Sequence, residues 1–550
     1  MAWGRVVQEG VRRSRGDLGR ELGDRDRPPR LPPPVGGCPA SAKDPAGRAV
    51  TERSMGLGAL ADAIAPERVV GIPTGEVTAL TTHSAEVTPG AAFFAVPGQL
   101  HDGWSFIPEA VERGALAVVA ERETPDLAVP QIVVASARHA VADAADAWFG
   151  KPSERMRVYG ITGTDGKSTT AFLALAILLA AGRRPGLVGT VDTRVGDVQT
   201  ASTSRTTTPE ALELQALLAD MVEAENDCVV VEATSHGLAQ SRVRNCRFKV
   251  GVVTTITSEH LEFHGTVEAY RAAKAMLVEE APSAVLNADD PNFKYLRQRA
   301  AGTVISFGIE NEADLRATAL DLGPHGSRFH VTGPRWEGGV ALQLPARFNV
   351  ANALAALGLA EAEGLDPEQS AAALAEVPGV PGRMERIDLG QPFGVVVDYA
   401  HTADSLGKVL RELRPLTAGR LIAVFGSAGD RDRTKRAPMG RAAAELADFV
   451  IVTDEDPRSE APWEINEEIA NGARSAGGQD RETMWIIDDR RTAIAHALRL
   501  AEAGDMVLLA GKGHEPSIIY GDDRRWWDER EVARQELRAI GYETDEPPAP

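Results

Sequence analysis

Gly160-Ile-Thr-Gly-Thr-Asp-Gly-Lys-Ser-Thr-Thr170 is the stretch on which the reading of the fold turns. The short apolar run Met156-Arg-Val-Tyr159 precedes it, and an Ala/Leu-rich segment of helical composition, Thr169 to Ala181, follows. A glycine-rich turn between a strand and a helix leaves backbone N–H groups free to cradle phosphate at the positive helix end. Lys167 is placed to reach the β- and γ-phosphates, and the Ser168 hydroxyl to meet Mg²⁺. The usual spacing, G-x-x-x-x-G-K-[ST], would put a glycine at Ile161; the chain instead carries the compact form G-T-x-G-K-S from Gly163 to Ser168. The segment reads as an ATP site.

Outward from this loop, the pattern repeats. Asp227-Cys-Val-Val-Val-Glu232, Val250-Gly-Val-Val-Thr-Thr-Ile256 and Ala284-Val-Leu-Asn287 are largely apolar runs that end near polar residues. Buried parallel strands with ligands beyond their carboxyl ends have this character. A later block contains five more such runs, namely Gly394-Val-Val-Val-Asp398, Arg420-Leu-Ile-Ala-Val-Phe425, Phe449-Val-Ile-Val-Thr453, Met484-Trp-Ile-Ile487 and Met506-Val-Leu-Leu-Ala510. Two successive open α/β sheets follow, one over 153–380 and one over 381–541. Ahead of them, residues 55–152 alternate short strands (Val118-Val-Ala120, Gln131-Ile-Val-Val134) with an amphipathic helix from Ala140 to Phe149.

Composition sets the limits. The 550 residues are 43% hydrophobic and 25% charged, as in soluble globular proteins, and no run of about 18 apolar residues suggests a membrane span. Cys38, Cys228 and Cys246 have neither disulfide-framework nor zinc-ligand spacing, which fits a reducing cytoplasm. A net charge of −20 argues against a general nucleic-acid binder. Residues 1–54 differ: ten Arg and one Lys face seven acids among seven prolines, a net +4 that leaves −24 for 55–550. They read as a disordered tail or a mis-assigned start, with Met55 as the candidate true start; 542–550 reads as a second disordered tail.

Glu232 closes a buried strand and opens Glu-Ala-Thr-Ser-His-Gly237, where P-loop proteins place an acid that holds Mg²⁺. His260, beside Glu259 at the next strand end, is a candidate second ligand, while His264 reads as loop support. Thr206-Thr-Thr-Pro209-Glu210 reads as a helix start with Pro209 in the first helical position, either a simple cap or a seat for carboxylate or phosphate. Gly426-Ser-Ala-Gly-Asp-Arg431-Asp-Arg-Thr-Lys-Arg436 pairs a glycine turn with a cationic cluster. Glu455-Asp-Pro-Arg458 and Gly511-Lys-Gly-His-Glu515 again follow strands. Helix propensity makes Lys274 an ordinary surface lysine.

This ordered set resembles the Mur ligases, and within them the branch that adds the third residue of the peptidoglycan stem peptide. GTDGKST (163–169), TTTPE (206–210), EATSHGL (232–238), EHLEFHG (259–265), AAK (272–274), FNVAN (348–352), PGRME (381–385), DYAHT (398–402), GDRDRTKR (429–436) and GKGHE (511–515) carry the resemblance, over about Leu57 to Gly541. It implies three domains: an N-terminal α/β uridine-nucleotide domain, a central P-loop ATPase-like α/β domain and a C-terminal Rossmann-like α/β domain. It also implies the reaction: the γ-carboxylate of UDP-MurNAc-L-Ala-D-Glu takes the γ-phosphate of ATP, and an amino acid's amine displaces phosphate to form an amide.

By position, the resemblance makes Lys167, Glu232, His260 and Lys274 the catalytic set, and Ser168, Glu232, His260 and Lys274 the Mg²⁺ set. Lys274 is then carbamylated by CO₂ to N6-carboxylysine. ATP falls to Gly163, Thr164, Asp165, Gly166, Lys167, Ser168, Thr169, Asn349, Asn352, Arg383, Asp398 and His401. The UDP-sugar-peptide falls to Ser84, Thr207, Thr208, Thr234, Gln240 and Arg242, with Asp102-Gly103 in a nucleotide-contacting loop. The incoming amino acid falls to Arg431, Glu455, Asp456, Arg458, Gly511 and Glu515. Diaminopimelate-adding members typically carry Asp-Asn-Pro-Arg where this chain has Glu455-Asp456-Pro457-Arg458. Arg458 suits the second carboxylate of meso-diaminopimelate; Asp456 suits the bare ammonium of lysine or ornithine. The expected partners are small molecules only, for a cytoplasmic monomer with neither nucleic acid nor membrane. A folylpolyglutamate-synthetase-like ligase or an inactive scaffold relative are the more distant readings. Asp165, Ala85, Glu259 and Ala403 depart from the usual Asn, Arg, Asp and Pro.

Overall fold

The computed structural model describes residues 53–98, 101–201, 206–324 and 326–543; the readings of residues 1–52 and of the tail beyond 543 lie outside the described residues. Three main sheets order the chain, and each forms where the apolar runs alternate with helices. In the first, Arg68–Val70, Gln131–Val133, Ala117–Ala120, Ala91–Phe94 and Ala79–Thr81 lie side by side, parallel except for the edge strand Arg68–Val70. The helix Ala137–Trp148, capped by the Ser136 hydroxyl, lays Ala137, Ala140, Val141 and Ala144 on the sheet with helical spacing.

The eleven-stranded central sheet holds the phosphate-loop strand, Arg157–Thr162, between Cys228–Glu232 and Phe248–Val253, both parallel to it. In register, Glu232 stands opposite Ile161 and Val253 opposite Thr162, so three strands end at one level. Pro185–Val188 extends the parallel core on one side, and Ser283–Asn287 and Thr303–Gly308 on the other. Antiparallel strands finish both edges. Lys167–Ala180, the helix leaving the phosphate loop, packs with Arg347–Ala362 in the main core beneath the sheet. Apolar side chains surround it, because both helices are buried along most of their length.

The helix after the TTTPE turn starts later than the sequence suggests. It runs from Ala211 to Glu223 with Glu210 in the N-cap position, so Pro209 lies outside it. Thr208 is drawn off by bonds to the end of the Glu232 strand, described below.

The third sheet runs Glu385–Arg386, Gly394–Asp398, Met506–Ala510, Leu421–Phe425, Phe449–Val452, Met484–Ile486, all parallel except the short first strand. Met506–Ala510, last of its strands in sequence, lies between two earlier ones, which creates a switch point. Crevices for ligands open at the carboxyl ends of strands beside such a point. Asp398, Gly426 and Gly511 stand at those ends. No helix among the described residues is long and apolar enough to cross a membrane.

Candidate active site

The phosphate loop is shaped by glycines where no side chain fits. A Cβ on Gly163 would collide with Thr254 Oγ1, and one on Gly166, at φ +84°, with Asn352 Oδ1. Lys167 Nζ folds back over the loop and donates to the Gly163 and Thr164 carbonyls, both at 2.9 Å. Ser168 Oγ donates to Glu232 Oε2 at 2.9 Å. Glu232 is fully buried, and Thr190 secures it twice, N–H to Oε1 and Oγ1 to Oε2, each at 3.0 Å. A carboxylate beside two hydroxyls is a set of hard oxygen donors, the chemistry Mg²⁺ selects. Among the described residues no group of three or more His, Cys, Asp and Glu side chains is arranged to hold a metal. The fit for Mg²⁺ therefore rests on hydroxyls and Glu232.

Lys274 is the largest departure from the propensity reading. It is 2% exposed, on the stripe Tyr270, Ala273, Lys274, Leu277 and Val278 that the helix Val267–Glu280 turns to the sheet. Its Nζ donates to the Gly163 carbonyl at 2.7 Å and lies 4.7 Å from the centre of the Tyr270 ring. Burial, then the Lys167 ammonium, hold its proton affinity well below that of an ordinary lysine.

His260 occupies the left-handed region at φ +57° and is half-exposed, between Glu259 and Glu262. It packs edge-on to His236, whose pKa burial lowers to about 4. His264 stands against His236 and Tyr270, with its Nε2 buried and unpartnered.

One cavity of about 600 Å³ runs from the phosphate loop to the third sheet. Phosphate-loop residues 164–169, Thr190, Glu259 and His260 form one wall, and Arg383, Asp398, Tyr399, His401 and Lys408 the other. Asn349 and Asn352 line it from the helix Arg347–Ala362, bonded to one another at 3.1 Å. Asp398 accepts the Met384 and Ala400 N–H groups, and burial raises its pKa against the pull of Arg383. Arg383 stacks over Tyr399, and the Tyr399 hydroxyl reaches Glu515 at 3.3 Å. Behind Glu515, Lys512 pairs with Asp456 and Glu515 at 3.0 and 2.6 Å. Glu455 Oε2 and Arg458 Nε are buried there without partners.

Comparison with known proteins gives this arrangement its family. Residues 161–360 match the Mur ligase middle domain, 382–513 the Mur ligase glutamate ligase domain, and 76–149 the Mur ligase family catalytic domain. The chain is 48% identical over 486 residues to the UDP-N-acetylmuramyl-tripeptide synthetase of Roseiflexus sp. (strain RS-1), covering 85% of this chain and 96% of that relative. The chain belongs to the Mur ligase family. Like its relatives, this Mur ligase is an ATP-dependent enzyme that forms amide bonds. The UDP-N-acetylmuramoyl-L-alanyl-D-glutamate–2,6-diaminopimelate ligase of Streptomyces coelicolor is 42% identical to it, over 86% of this chain and 96% of the relative. A solved structure of a ligase with that same name superposes with a TM-score of 0.60 at 31% identity, over 84% of this chain and 95% of the other.

Not every residue singled out in the sequence of this Mur ligase lines the cavity. Thr207 and Thr234 do. Thr208 is fully buried and braces the Glu232 strand end: its hydroxyl donates to the Glu232 carbonyl and accepts the Thr234 N–H. Arg242 donates to the Thr208 carbonyl and to Gln240, and pairs with Glu210. Ser84 donates to Glu109 at 2.7 Å, and Asp102 caps Trp104 and pairs with Arg122. Arg431 is exposed. Asp456, read as a possible seat for a substrate ammonium, is already paired internally with Lys512. Sequence reading missed Thr190, Lys408, Tyr399 and Lys512. A signal existed for Thr190, since Gly189-Thr190 follows the apolar strand end Val188 as the other polar loops follow theirs.

Proposed function

We propose that this Mur ligase joins meso-diaminopimelate to UDP-N-acetylmuramoyl-L-alanyl-D-glutamate at the expense of ATP. The observation that carries this reading is the single cavity walled by the phosphate loop on one side and by the third sheet's strand ends on the other. Phosphoryl donor, carboxylate and incoming amine can converge there. A carboxylate is a poor acylating agent, so the γ-carboxylate of the D-glutamyl residue first attacks the γ-phosphorus of ATP, releasing ADP and leaving an acyl phosphate. The amine then attacks the acyl carbon, loses a proton, and phosphate departs as the amide forms.

In this reading Lys167 leaves the Gly163 and Thr164 carbonyls to neutralise the transferring phosphoryl oxygens. Gly163 to Thr169 supply N–H groups to the phosphates, and Asn349, Asn352, Arg383, Asp398 and His401 hold the nucleotide. Ser168 and Glu232, with Thr190 and His260, hold Mg²⁺, which when bound supplies charge stabilisation at the phosphoryl oxygens. Lys274 in its neutral form adds CO₂ at Nζ and loses a proton, giving a carbamate that bears on the same centre. Thr207, Thr234 and the Arg242–Gln240 pair face the muramoyl peptide, and Ser84 the uridine end. Glu455, Arg458 and Gly511 receive the diamino acid, with Glu515 held behind them by Lys512 and Tyr399, and Arg431 at the entrance. The buried, unpartnered Arg458 Nε favours diaminopimelate over lysine or ornithine, because only diaminopimelate brings a second carboxylate to it. Substrates are small molecules, and we place the reaction in the cytoplasm, carried out by one chain.

The test is to incubate the purified protein with UDP-MurNAc-L-Ala-D-Glu, ATP, Mg²⁺ and, separately, meso-diaminopimelate, L-lysine or L-ornithine. ADP release with UDP-tripeptide formation is expected with diaminopimelate; no ADP release with any of the three overturns the reading.

A further inference from the structure

Lys512 has no part in the chemistry described above, yet it is fully buried beside the amino-acid subsite. Burial lowers its proton affinity, but the carboxylates of Glu515, Asp456 and Glu455 outweigh burial and raise it above that of an ordinary lysine. Its Nζ donates to Asp456 Oδ1 at 3.0 Å and to Glu515 Oε2 at 2.6 Å. The same Asp456 oxygen accepts the Ile519 N–H at 3.0 Å, so its bonding capacity is taken up from within. Arg458 is set differently. Its backbone sits at φ +53°, bonded to the hairpin of strands Ser517–Tyr520 and Asp523–Trp526 through Arg458 N–H to Ile519 O and Gly521 N–H to Arg458 O. Its Nε is buried and unpartnered, as is Glu455 Oε2. A buried donor and a buried acceptor without partners point to a ligand that brings one group of each kind.

The candidate amines differ in this respect. The far end of diaminopimelate carries an ammonium and a carboxylate, whereas lysine and ornithine end in an ammonium alone. We propose that Lys512 is a specificity-determining residue whose internal ammonium occupies Asp456 and Glu515, denies them to a bare substrate ammonium, and so reserves the subsite for a side chain that brings its own carboxylate to Arg458. The inference rests on the diaminopimelate reading and adds the residue that enforces it. Lys512 acts through the two carboxylates and touches no reacting atom.

The test compares kcat/KM for meso-diaminopimelate, L-lysine and L-ornithine in the full-length wild type, Lys512→Met, Asp456→Asn and the double variant, with Tm recorded for each. Lys512→Met exposes two acids, and the lysine-to-diaminopimelate ratio of kcat/KM is expected to rise by about tenfold or more, chiefly through KM. Adding Asp456→Asn should pull that ratio back toward the wild-type value. Asp456→Asn alone keeps the Ile519 bond, removes one negative charge and should lower the ratio, which tests the idea even if Lys512→Met does not fold. An unchanged ratio in folded Lys512→Met, an equal loss with all three amines, or an unchanged or raised ratio in Asp456→Asn overturns the proposal alone. Wild type that uses lysine and not diaminopimelate overturns the underlying reading and the proposal with it.

Discussion

Asp165, inside the phosphate loop, pairs at 2.9 Å with Lys408 on the helix Ala403–Leu413, so an ion pair ties the phosphate loop to the domain of the third sheet. Lys408 also pairs with Asp404, one turn earlier on its own helix. Both side chains are more than a third exposed, 44% for Asp165 and 37% for Lys408. Their contribution to global stability is therefore only about 0–1 kcal/mol. Their leverage is on the cavity, since both residues line it, one from each side. Asp165→Lys should raise KM for ATP several-fold at near-constant Tm, and the exchanged pair Asp165→Lys/Lys408→Asp should recover part of the loss. Failure of the exchange to recover anything would show that the pair does not hold the two domains together. Added salt should weaken ATP use more in wild type than in Asp165→Asn/Lys408→Met, since exposed pairs are screened.

Lys274→Ala should lower turnover by at least about a hundredfold, the scale of losing a group that orients a metal site. Bicarbonate should not restore it, because the missing atom is the nucleophilic nitrogen. In wild type, native mass spectrometry should find the added mass of one CO₂, and CO₂-stripped buffer should slow turnover reversibly. Full activity in Lys274→Ala would exclude the carbamate. The stability consequence has a definite sign. With its folded pKa depressed, unmodified Lys274 binds fewer protons in the fold than in the unfolded chain, so stability rises with pH up to about 10.4. Lys274→Met should flatten that rise in CO₂-free denaturant titrations.

Arg490 and Glu529 form a pair with both side chains fully buried, joined by Nε to Oε2 at 2.9 Å and Nη2 to Oε1 at 2.6 Å. Arg490 also donates to the carbonyls of Asp454 and Ala510, the residues that lead into the two amino-acid loops. Removing one partner strands a buried charge, so Glu529→Gln should cost about 3–5 kcal/mol in chemical denaturation. A loss below about 1 kcal/mol would mean that the pair is far less desolvated than its burial indicates.

Acid should act through Glu460. The guanidinium of Arg436 holds both its oxygens, at 2.8 and 2.9 Å, and lowers its pKa from 4.5 to about 2. A carboxylate depressed in the fold stabilises the protein above its unfolded pKa, and that stability disappears as pH falls through the folded value. The contribution should thus fade between about pH 4.5 and pH 2. Glu460→Gln should lower stability at neutral pH and flatten this part of the acid limb, read from Tm against pH. A wild-type limb unchanged by the substitution would locate the acid sensitivity elsewhere.

Much of the architecture was legible along the chain. The apolar runs that carry Glu232 and Val253 became the two strands flanking the phosphate-loop strand, the run ending at Asp398 became a strand of the third sheet, and the Gly163–Ser168 turn became a phosphate loop, because glycine geometry and apolar patterning act within a few residues. Lys274 shows the boundary. Helix propensity leaves it on the surface, whereas packing buries it on the stripe with Tyr270, Ala273 and Leu277. The TTTPE turn failed for the opposite reason, since Thr208 bonds to Glu232, 24 residues away, instead of capping its own helix.

What no local pattern carried is the set of pairings across the site: Thr190 with Glu232, 42 residues apart, Lys512 with Asp456, 56 apart, and Lys408 with Asp165, 243 apart. Strand order and domain packing bring these groups together, and neither is contained in any short window. Electrostatic partnership depends on distance through space and on burial, which lower the effective dielectric around each pair. The chain alone therefore specified the phosphate loop and the sheets that carry it, while folding selected which charges are neutralised and which, like the Nε of Arg458, are left buried without a partner.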